Sequence, residues 1–411
     1  AHWPSRQFKT IRWWFLNKPN AALVAQDSSP APKTIQTSSD GLICPADTIF
    51  DKSAILTRIA DELGADASEK DVRATTVSIL REARKHGMAT IAEAFRAQPF
   101  AARPTTRSYS WLTDQIVCII LETAQQRLHP LSNPTESERL SLIAVGGSGR
   151  GEMAPFSDVD LLFLTPYKIT PWAESVIESM LYMLWDLKLK VGHASRTVKE
   201  CLRLAREDYT IRTSLVEHRY LAGDIDLAKE LGEQLWSNLF ASTAQDFIEA
   251  KLNEREERHR KQGGQRYMVE PNVKEGKGGL RDLQSLFWIS KYVHGVKDAA
   301  DLVGVRVFTT EEFQTFVTAE DFLWAGRCHL HLLSGRATDQ LTFDMQVEIA
   351  QAMGYRDHGG RRAVEHFMQA YFRQATRVGE LTRTFLTALE ANHTKKEPML
   401  VRLFGRRKRA I

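Results

Sequence analysis

The sequence predicts an α+β fold: a small sheet-bearing core between N-terminal helices and a longer all-helical domain. Three observations carry this. Helix formers with apolar residues near helical spacing dominate residues 45–102. Short apolar runs, "LSLIAV" and "VDLLFLT", then read as buried strands interleaved with helices. Beyond residue 227 the pattern is almost entirely helical again. At 411 residues, 43% hydrophobic and 26% charged, the chain has an ordinary globular balance and material for two or three domains.

In chain order, residues 1–44 read as a flexible segment. "IRWWFLNK" is basic and aromatic, and "AQDSSPAPKTIQTSSD" is a Ser/Pro linker. A short amphipathic helix for a membrane surface or a partner, over residues 8–18, is the alternative. Residues 45–104 carry N-terminal helices, among them "DKSAILTRIADELG" and "VRATTVSILREARKHGMATIAEAFRAQ". A further helix, "YSWLTDQIVCIILETAQQRL" (Tyr109 to Leu128), opens the sheet-bearing domain placed at 105–226, and "HPLSNPTESE" breaks it. The strands "LSLIAV", "VDLLFLT" and "KVGHASRT" follow. Between and after them come the helices "PWAESVIESMLYMLWDLKL", with Pro171 near its start, and "VKECLRLARED". Residues 227–394 form the all-helical domain. "DFIEAKLNEREERHRKQG" reads as a solvated helix. "GLRDLQSLFWISKYVHG", "TAEDFLWAGRCHLHLLSGR" and "AVEHFMQAYFRQATRVGELTRTFLTALEA" read as long amphipathic ones. Residues 395–411 are a basic tail, a frayed terminus or a linker.

Charge and cysteine content narrow the setting. The formal charge is +4, from 55 Lys+Arg against 51 Asp+Glu. So mild a bias says little about partners, and nucleic acid is not among those expected. Cys44, Cys118, Cys201 and Cys328 form no CxxC pair, as in a reduced cytoplasmic protein with buried thiols. No apolar run approaches the roughly 18 residues of a membrane span, and no clear signal peptide is present. The chain opens on Ala1 rather than Met, as a processed chain or a fragment would.

The stretch with most chemical content is "GGSGRGEMAPFSDVD", Gly146 to Asp160, between "LIAV" and "LLFL". It fails the P-loop pattern, because no Gly-Lys-Ser/Thr follows, and it fails G-x-G-x-x-G at Glu152. A glycine-rich turn after a strand still offers backbone N–H groups to an anion at close approach. Asp158 and Asp160 stand at i and i+2 on a strand, so alternation puts both carboxylates on one face. Two carboxylates this close repel unless a cation lies between them. Mg²⁺ is the expected cation, since it takes one or two carboxylates plus substrate phosphates. A phosphate-cradling loop ahead of a metal-binding Asp-x-Asp is an arrangement for nucleotidyl transfer. The plainer alternative is a hairpin with two solvent-facing aspartates.

"AVGGSGRGEMAPFSDVDLLFL" resembles the nucleotidyltransferase signature of the bacterial bifunctional uridylyltransferase/uridylyl-removing enzymes, which modify the nitrogen signal protein PII. The resemblance continues in "WDLKLKVGHASRTVKECLRLAREDYTIRTSLVEHRYLAGD" and in "VEPNVKEGKGGLRDLQSLFWISKY", and covers roughly residues 45–390. It implies a nucleotidyltransferase-type mixed sheet followed by a helical substrate- and nucleotide-binding domain. It implies transfer of UMP from UTP to a PII tyrosine, with Mg²⁺ as cofactor. Carried over by position, Gly146 and Gly147 resemble the glycine pair that holds the nucleotide phosphates. Asp158 and Asp160 resemble the metal-binding carboxylates. The family usually has an aromatic residue where this chain has Ser148. Serine is nearer the Gly-Ser of the wider superfamily, whose hydroxyl touches phosphate.

Many relatives in that superfamily use a third acid on a later strand, but "KVGHASRT" holds none. His193, Asp208 or Glu217 could substitute, against a helix cap for Asp208 and a surface position for Glu217. In "EPNVKEGKGGLRDLQ", Gly278 and Gly279 form a turn and Leu280 starts a helix. Lys274, Lys277 and Arg281 then converge near a helix N-terminus, a favourable place for phosphate. They would form a second wall of the nucleotide or PII site, or else a capped interdomain turn. The family's uridylyl-removing domain uses a His-Asp pair, and none of the twelve histidines here is followed by Asp. "HLHLL" offers no metal pair, because i and i+2 on a helix point apart. The chain thus resembles the transferase part alone, without the hydrolase and glutamine-sensing parts. The rival readings are another Mg²⁺-dependent protein nucleotidyltransferase, such as an adenylylating one, and an inactive regulatory or binding fragment.

Overall fold

The computed structural model describes residues 39–64, 67–133, 135–296 and 298–393. The expectations for the basic aromatic segment, most of the Ser/Pro linker and the basic tail lie outside these residues. The fold is α+β, with a four-stranded mixed sheet among helices. Among the described residues, no helix is long and apolar enough to cross a membrane.

The N-terminal helices are α1 (Ala46–Ile49), α2 (Lys52–Glu62), α3 (Glu69–Ala97) and α4 (Ala102–Thr123). Local chemistry sets their starts. Asp51 and Ser68 accept hydrogen bonds from Ala54 N–H and Asp71 N–H as N-caps of α2 and α3. Helix α4 begins seven residues before the predicted Tyr109, because Pro104 in its first turn favours helical φ and needs no donor there. It therefore runs through the position where the sequence reading divides the first two domains.

The sheet region comprises β1 (Ser141–Ala144), α5 (Gly146–Arg150), β2 (Val159–Thr165), α6 (Pro171–Asp186), β3 (Val191–Thr197), α7 (Val198–Glu207), α8 (Tyr209–Val216), β4 (Arg219–Gly223) and α9 (Ile225–Asn238). Strand order is β3-β2-β1-β4. β2 and β3 are parallel, while β1 is antiparallel to both β2 and β4. Two features differ from the sequence reading. The glycine-rich stretch opens with a helical turn, α5, rather than an extended loop. A fourth strand, "RYLAG", joins the sheet, with a bulge opposite Leu142/Ile143.

Alternation along the strands divides the core. Val159, Leu161 and Phe163 of β2, with Leu142 and Ala144 of β1, pack with α3, α4 and α6. Leu162 and Leu164, with Ile143, pack on the opposite face, toward α7, α9 and the helical region. Asp158 and Asp160 share the parity of Leu162 and Leu164, so they face the helical region too.

That region contains α10 (Ala244–Lys261), α11 (Leu280–His294), α12 (Asp301–Gly304), α13 (Thr310–Ser334), α14 (Phe343–Ala352) and α15 (Ala363–His393). Helix α13 ties back to the N-terminal helices. Arg103 pairs with Glu320 at 2.9 Å, and His329 Nε2 lies 3.0 Å from Pro99 O. A short antiparallel bridge joins Asn272 to Gln340, flanked by Val273 N–H donating to Asp339 O at 2.8 Å and Leu341 N–H to Pro271 O at 2.9 Å.

Candidate active site

A cleft of about 770 Å³ lies between the sheet and the helical region. Gly146, Gly147, Arg150, Asp158 and Asp160 line one wall, and Lys274, Arg281, Arg327 and Asp339 the other.

The first wall is built around Asp160. Its main chain is clamped twice: Val145 N–H donates to Asp160 O at 3.1 Å, and Asp160 N–H donates to Ser148 Oγ at 3.1 Å. Ser148 is 3% exposed and does not line the cleft. Its hydroxyl oxygen accepts from β2, a structural contact set away from the cleft where a phosphate contact was expected. Two glycines make room for the Asp160 carboxylate. A Cβ on Gly192 would stand 2.6 Å from Oδ1, and one on Gly146 3.3 Å from Oδ2. Gly146 also has φ +56°, a conformation that disfavours side chains. Gly147 has neither constraint: the nearest atom to a Cβ there is Arg150 Nη2, at 3.8 Å.

The turn is held from behind by a group that the sequence reading missed. Arg219, the first residue of β4, donates through Nη2 to Ser148 O (2.7 Å) and through Nε to Gly149 O (3.2 Å). The same guanidinium grips Asp114 of α4 at 2.9 and 3.2 Å. Gly149 is obligatory for another reason, because a Cβ there would fall 1.6 Å from Glu217 O. Glu217 is 1% exposed, so its surface reading is wrong. Its carboxylate pairs with Arg150 of α5, and burial pushes its pKa up. Of the other candidate third acids, Asp208 caps α8 by accepting from Thr210 N–H (2.6 Å) and Ile211 N–H (3.1 Å), and His193 is exposed on β3.

Among the described residues, neither the Asp158 nor the Asp160 carboxylate has a salt bridge or a side-chain hydrogen bond. Burial, and then the charge of Asp158, raise the pKa of Asp160, while Lys274 and Arg150 act to lower it. No group of three or more His, Cys, Asp or Glu side chains suited to a metal occurs among the described residues. Two adjacent carboxylates without protein partners nevertheless fit Mg²⁺, which completes its shell with phosphate and water oxygens.

The second wall is a glycine-pinned loop. Asn272 Oδ1 accepts from Lys274 N–H (3.1 Å) and Glu275 N–H (2.7 Å). Gly278 has φ +85°, and a Cβ there would lie 2.5 Å from Ala375 O of α15. Asp282, fully buried in the first turn of α11, accepts from Gly278 N–H at 2.9 Å and binds Arg255, Arg258 and His259 of α10. Burial alone would raise this carboxyl's pKa. The His259 hydrogen bond and the two arginines outweigh it and hold the group well below the usual range.

Two of the three cations expected on this loop line the cleft. Arg281 lies over the Trp288 ring at 5.1 Å and binds Glu275 at 3.1 Å. Lys274 is pushed down in pKa by burial, then by the neighbouring charges of Arg327 and Arg281. Lys277 does not line the cleft. It borders a smaller cavity, with Nζ 3.4 Å from Gly264 O. Arg327 of α13 was not singled out from the sequence. It is 8% exposed, bonded to Asp339 at 2.7 Å, and flagged only as an arginine inside the apolar run of "FLWAGRCHLHLL".

The model of the family described as GlnD PII-uridylyltransferase matches residues 246–386. That of glutamate-ammonia ligase adenylyltransferase matches residues 20–186. A bifunctional uridylyltransferase/uridylyl-removing enzyme of Ruegeria pomeroyi is 62% identical over 88% of this chain and 40% of its own length. Enzymes of the same name from Cereibacter sphaeroides and Novosphingobium aromaticivorans are 59% and 47% identical, over 94% and 88% of this chain. The chain spans about 40% of the length of each of the three. Over that aligned stretch, the chain is similar to the bifunctional uridylyltransferase/uridylyl-removing enzymes.

Proposed function

We propose that this chain transfers UMP from UTP to a tyrosine hydroxyl of PII and releases pyrophosphate. One observation carries the reading: two partnerless carboxylates, Asp158 and Asp160, face Lys274, Arg281 and Arg327 across a single cleft. Such a cleft sets a cation-binding pole opposite a triphosphate-binding pole. Asp158 and Asp160 would hold Mg²⁺, which when bound would supply charge neutralisation at the phosphates. The backbone of the α5 turn places its N–H groups at close range to phosphate, with Gly146 giving the approach. Lys274, Arg281 and Arg327 take up the charge that develops on the leaving pyrophosphate. The tyrosine oxygen forms its bond to the α-phosphorus as the α–β phosphoanhydride bond breaks. The phenolic proton passes to one of the two aspartates.

The 62% and 59% identities to enzymes named uridylyltransferases support UTP. Adenylyl transfer is the second reading, favoured by the adenylyltransferase model over residues 20–186. Both are tested by incubating the chain with PII, Mg²⁺ and an equimolar mixture of UTP and ATP, then weighing PII by mass spectrometry. One added uridylyl group is expected. An adenylyl adduct would establish the second reading, and unmodified PII would refute both.

A further inference from the structure

We infer that the smaller cavity beside the cleft is a second anion site, built for a small phosphate-bearing molecule and separate from the catalytic cleft. The cavity has a volume of about 250 Å³, roughly a third of the cleft's 770 Å³. It admits a phosphate or a short phosphorylated compound but not a whole nucleoside triphosphate.

Its wall carries three cations, Lys261, Arg266 and Lys277, against one carboxylate, Glu270. That carboxylate is already engaged, since Glu270 Oε1 accepts from Phe343 N–H at 2.8 Å. None of the three cations forms a salt bridge among the described residues, whereas the arginines around the cleft are paired with acids. Arg266 is seated deliberately. Its guanidinium lies where a Cβ on Gly379 of α15 would stand, 1.9 Å from Nη2, and its buried Nε has no hydrogen-bond partner. A planar guanidinium with two flexible ammonium groups suits a tetrahedral oxyanion. The C-terminal carbonyls of α10 would oppose an anion, but they are already capped. Gln262, Gly263 and Gly264 donate to the carbonyls of Arg258, Arg260 and His259.

The position gives the site its interest. Asn272 and Gln340 line both cavities and pair with each other, so one thin wall divides them. The loop that presents Lys274 and Arg281 to the cleft presents Lys277 to the cavity on the other side. An anion held by Lys277 therefore bears on the loop that positions the cleft's cations.

The test is calorimetric titration of the full chain with pyrophosphate, and separately with UTP, without an acceptor protein. Pyrophosphate should fill two sites and UTP one. Arg266→Ala/Lys277→Ala should abolish one pyrophosphate site, or weaken it roughly ten-fold or more, the scale of one charge-assisted hydrogen bond, and leave UTP binding intact. Lys274→Ala/Arg281→Ala should weaken the other. An unchanged melting curve shows that each variant is folded. If the Arg266 variant is not, Lys277→Ala alone carries the test, because its ammonium makes a single long contact to the protein. A single pyrophosphate site in the wild type, two sites of unchanged affinity in Arg266→Ala/Lys277→Ala, or UTP filling both sites would each overturn the inference.

Discussion

Replacing Arg219 by Lys isolates what the guanidinium fork contributes to the turn that carries Gly146 and Gly147. Three nitrogens of Arg219 donate to Asp114 (twice), to Ser148 O and to Gly149 O. The ammonium of lysine can keep the charge beside Asp114, so no buried carboxylate is abandoned. It cannot span Asp114 and both carbonyls, because its donors radiate from one atom. At least one carbonyl in a region where Arg219 is only 9% exposed then loses its donor. A lost hydrogen bond to a charged group costs about 1.5–3 kcal/mol. Denaturant unfolding of Arg219→Lys should show a loss of about 2 kcal/mol. The kinetic effect should exceed the stability effect, because α5 sets where phosphate sits relative to Asp160. A displacement of about 1 Å at such a place costs on the order of 10²-fold in rate. Initial rates of pyrophosphate release with UTP and PII, under conditions where the variant is fully folded, should fall at least ten-fold, mainly in kcat. A destabilised variant with wild-type kcat and KM would refute the idea that Arg219 positions the turn.

Three further outcomes follow from the geometry. Asp158→Asn and Asp160→Asn should each lower transfer about 10²- to 10³-fold at saturating Mg²⁺ with an unchanged circular dichroism spectrum; near-normal rates in either would remove it from the metal site. Gly192→Ala and Gly146→Ala should be far more damaging than Gly147→Ala, since their Cβ atoms meet the Asp160 carboxylate at 2.6 and 3.3 Å while that of Gly147 meets nothing nearer than 3.8 Å; equal activity in all three variants would sink the cradle. Burial, and then the charge of Glu152, raise Glu320 to about 8 from 4.5, so its protonated form stabilises the fold below about 4.5 and that contribution fades as pH rises through about 8. Denaturant midpoints measured across this window should decline in the wild type and less so in Glu320→Gln; parallel curves would contradict the assignment.

What the sequence made legible here was local. The i, i+2 carboxylates needed only strand alternation, and the start of α11 at Leu280 needed only the preceding glycine pair. The buried runs of β1 and β2 were equally direct. What it hid was long-range. Arg219 stands 105 residues from Asp114, and nothing in "EHRYLAGD" marks that arginine as a buried hub. Glu217 looked like a surface acid because its partner Arg150 lies 67 residues away. Lys277 was grouped with Lys274 and Arg281 by proximity in the chain, but the positive φ at Gly278 and its contact with α15 turn the loop. Ser148 was read from the superfamily pattern as facing phosphate, whereas the helical turn of α5 aims its hydroxyl at β2. Strand β4 was missed because its pattern is short and its role is set by β1, far upstream.

The alternation of β2 has a consequence for quality control. Its even-numbered face, continued back to Asp158 just before the strand, carries both carboxylates and part of one core, while its odd-numbered residues fill the other core with Val159, Leu161 and Phe163. A slip of one residue against β1 would drive Asp158 and Asp160 in among α3, α4 and α6 and move Phe163 to the opposite face of the sheet. Burying unpaired carboxylates costs several kcal/mol each, so a misregistered chain is penalised twice, in charge and in the mismatched packing of both faces. The residues that do the chemistry thus also act as a registration mark for the strand that bears them. A molecule that has closed this sheet has, by the same event, aimed its carboxylates at the cleft.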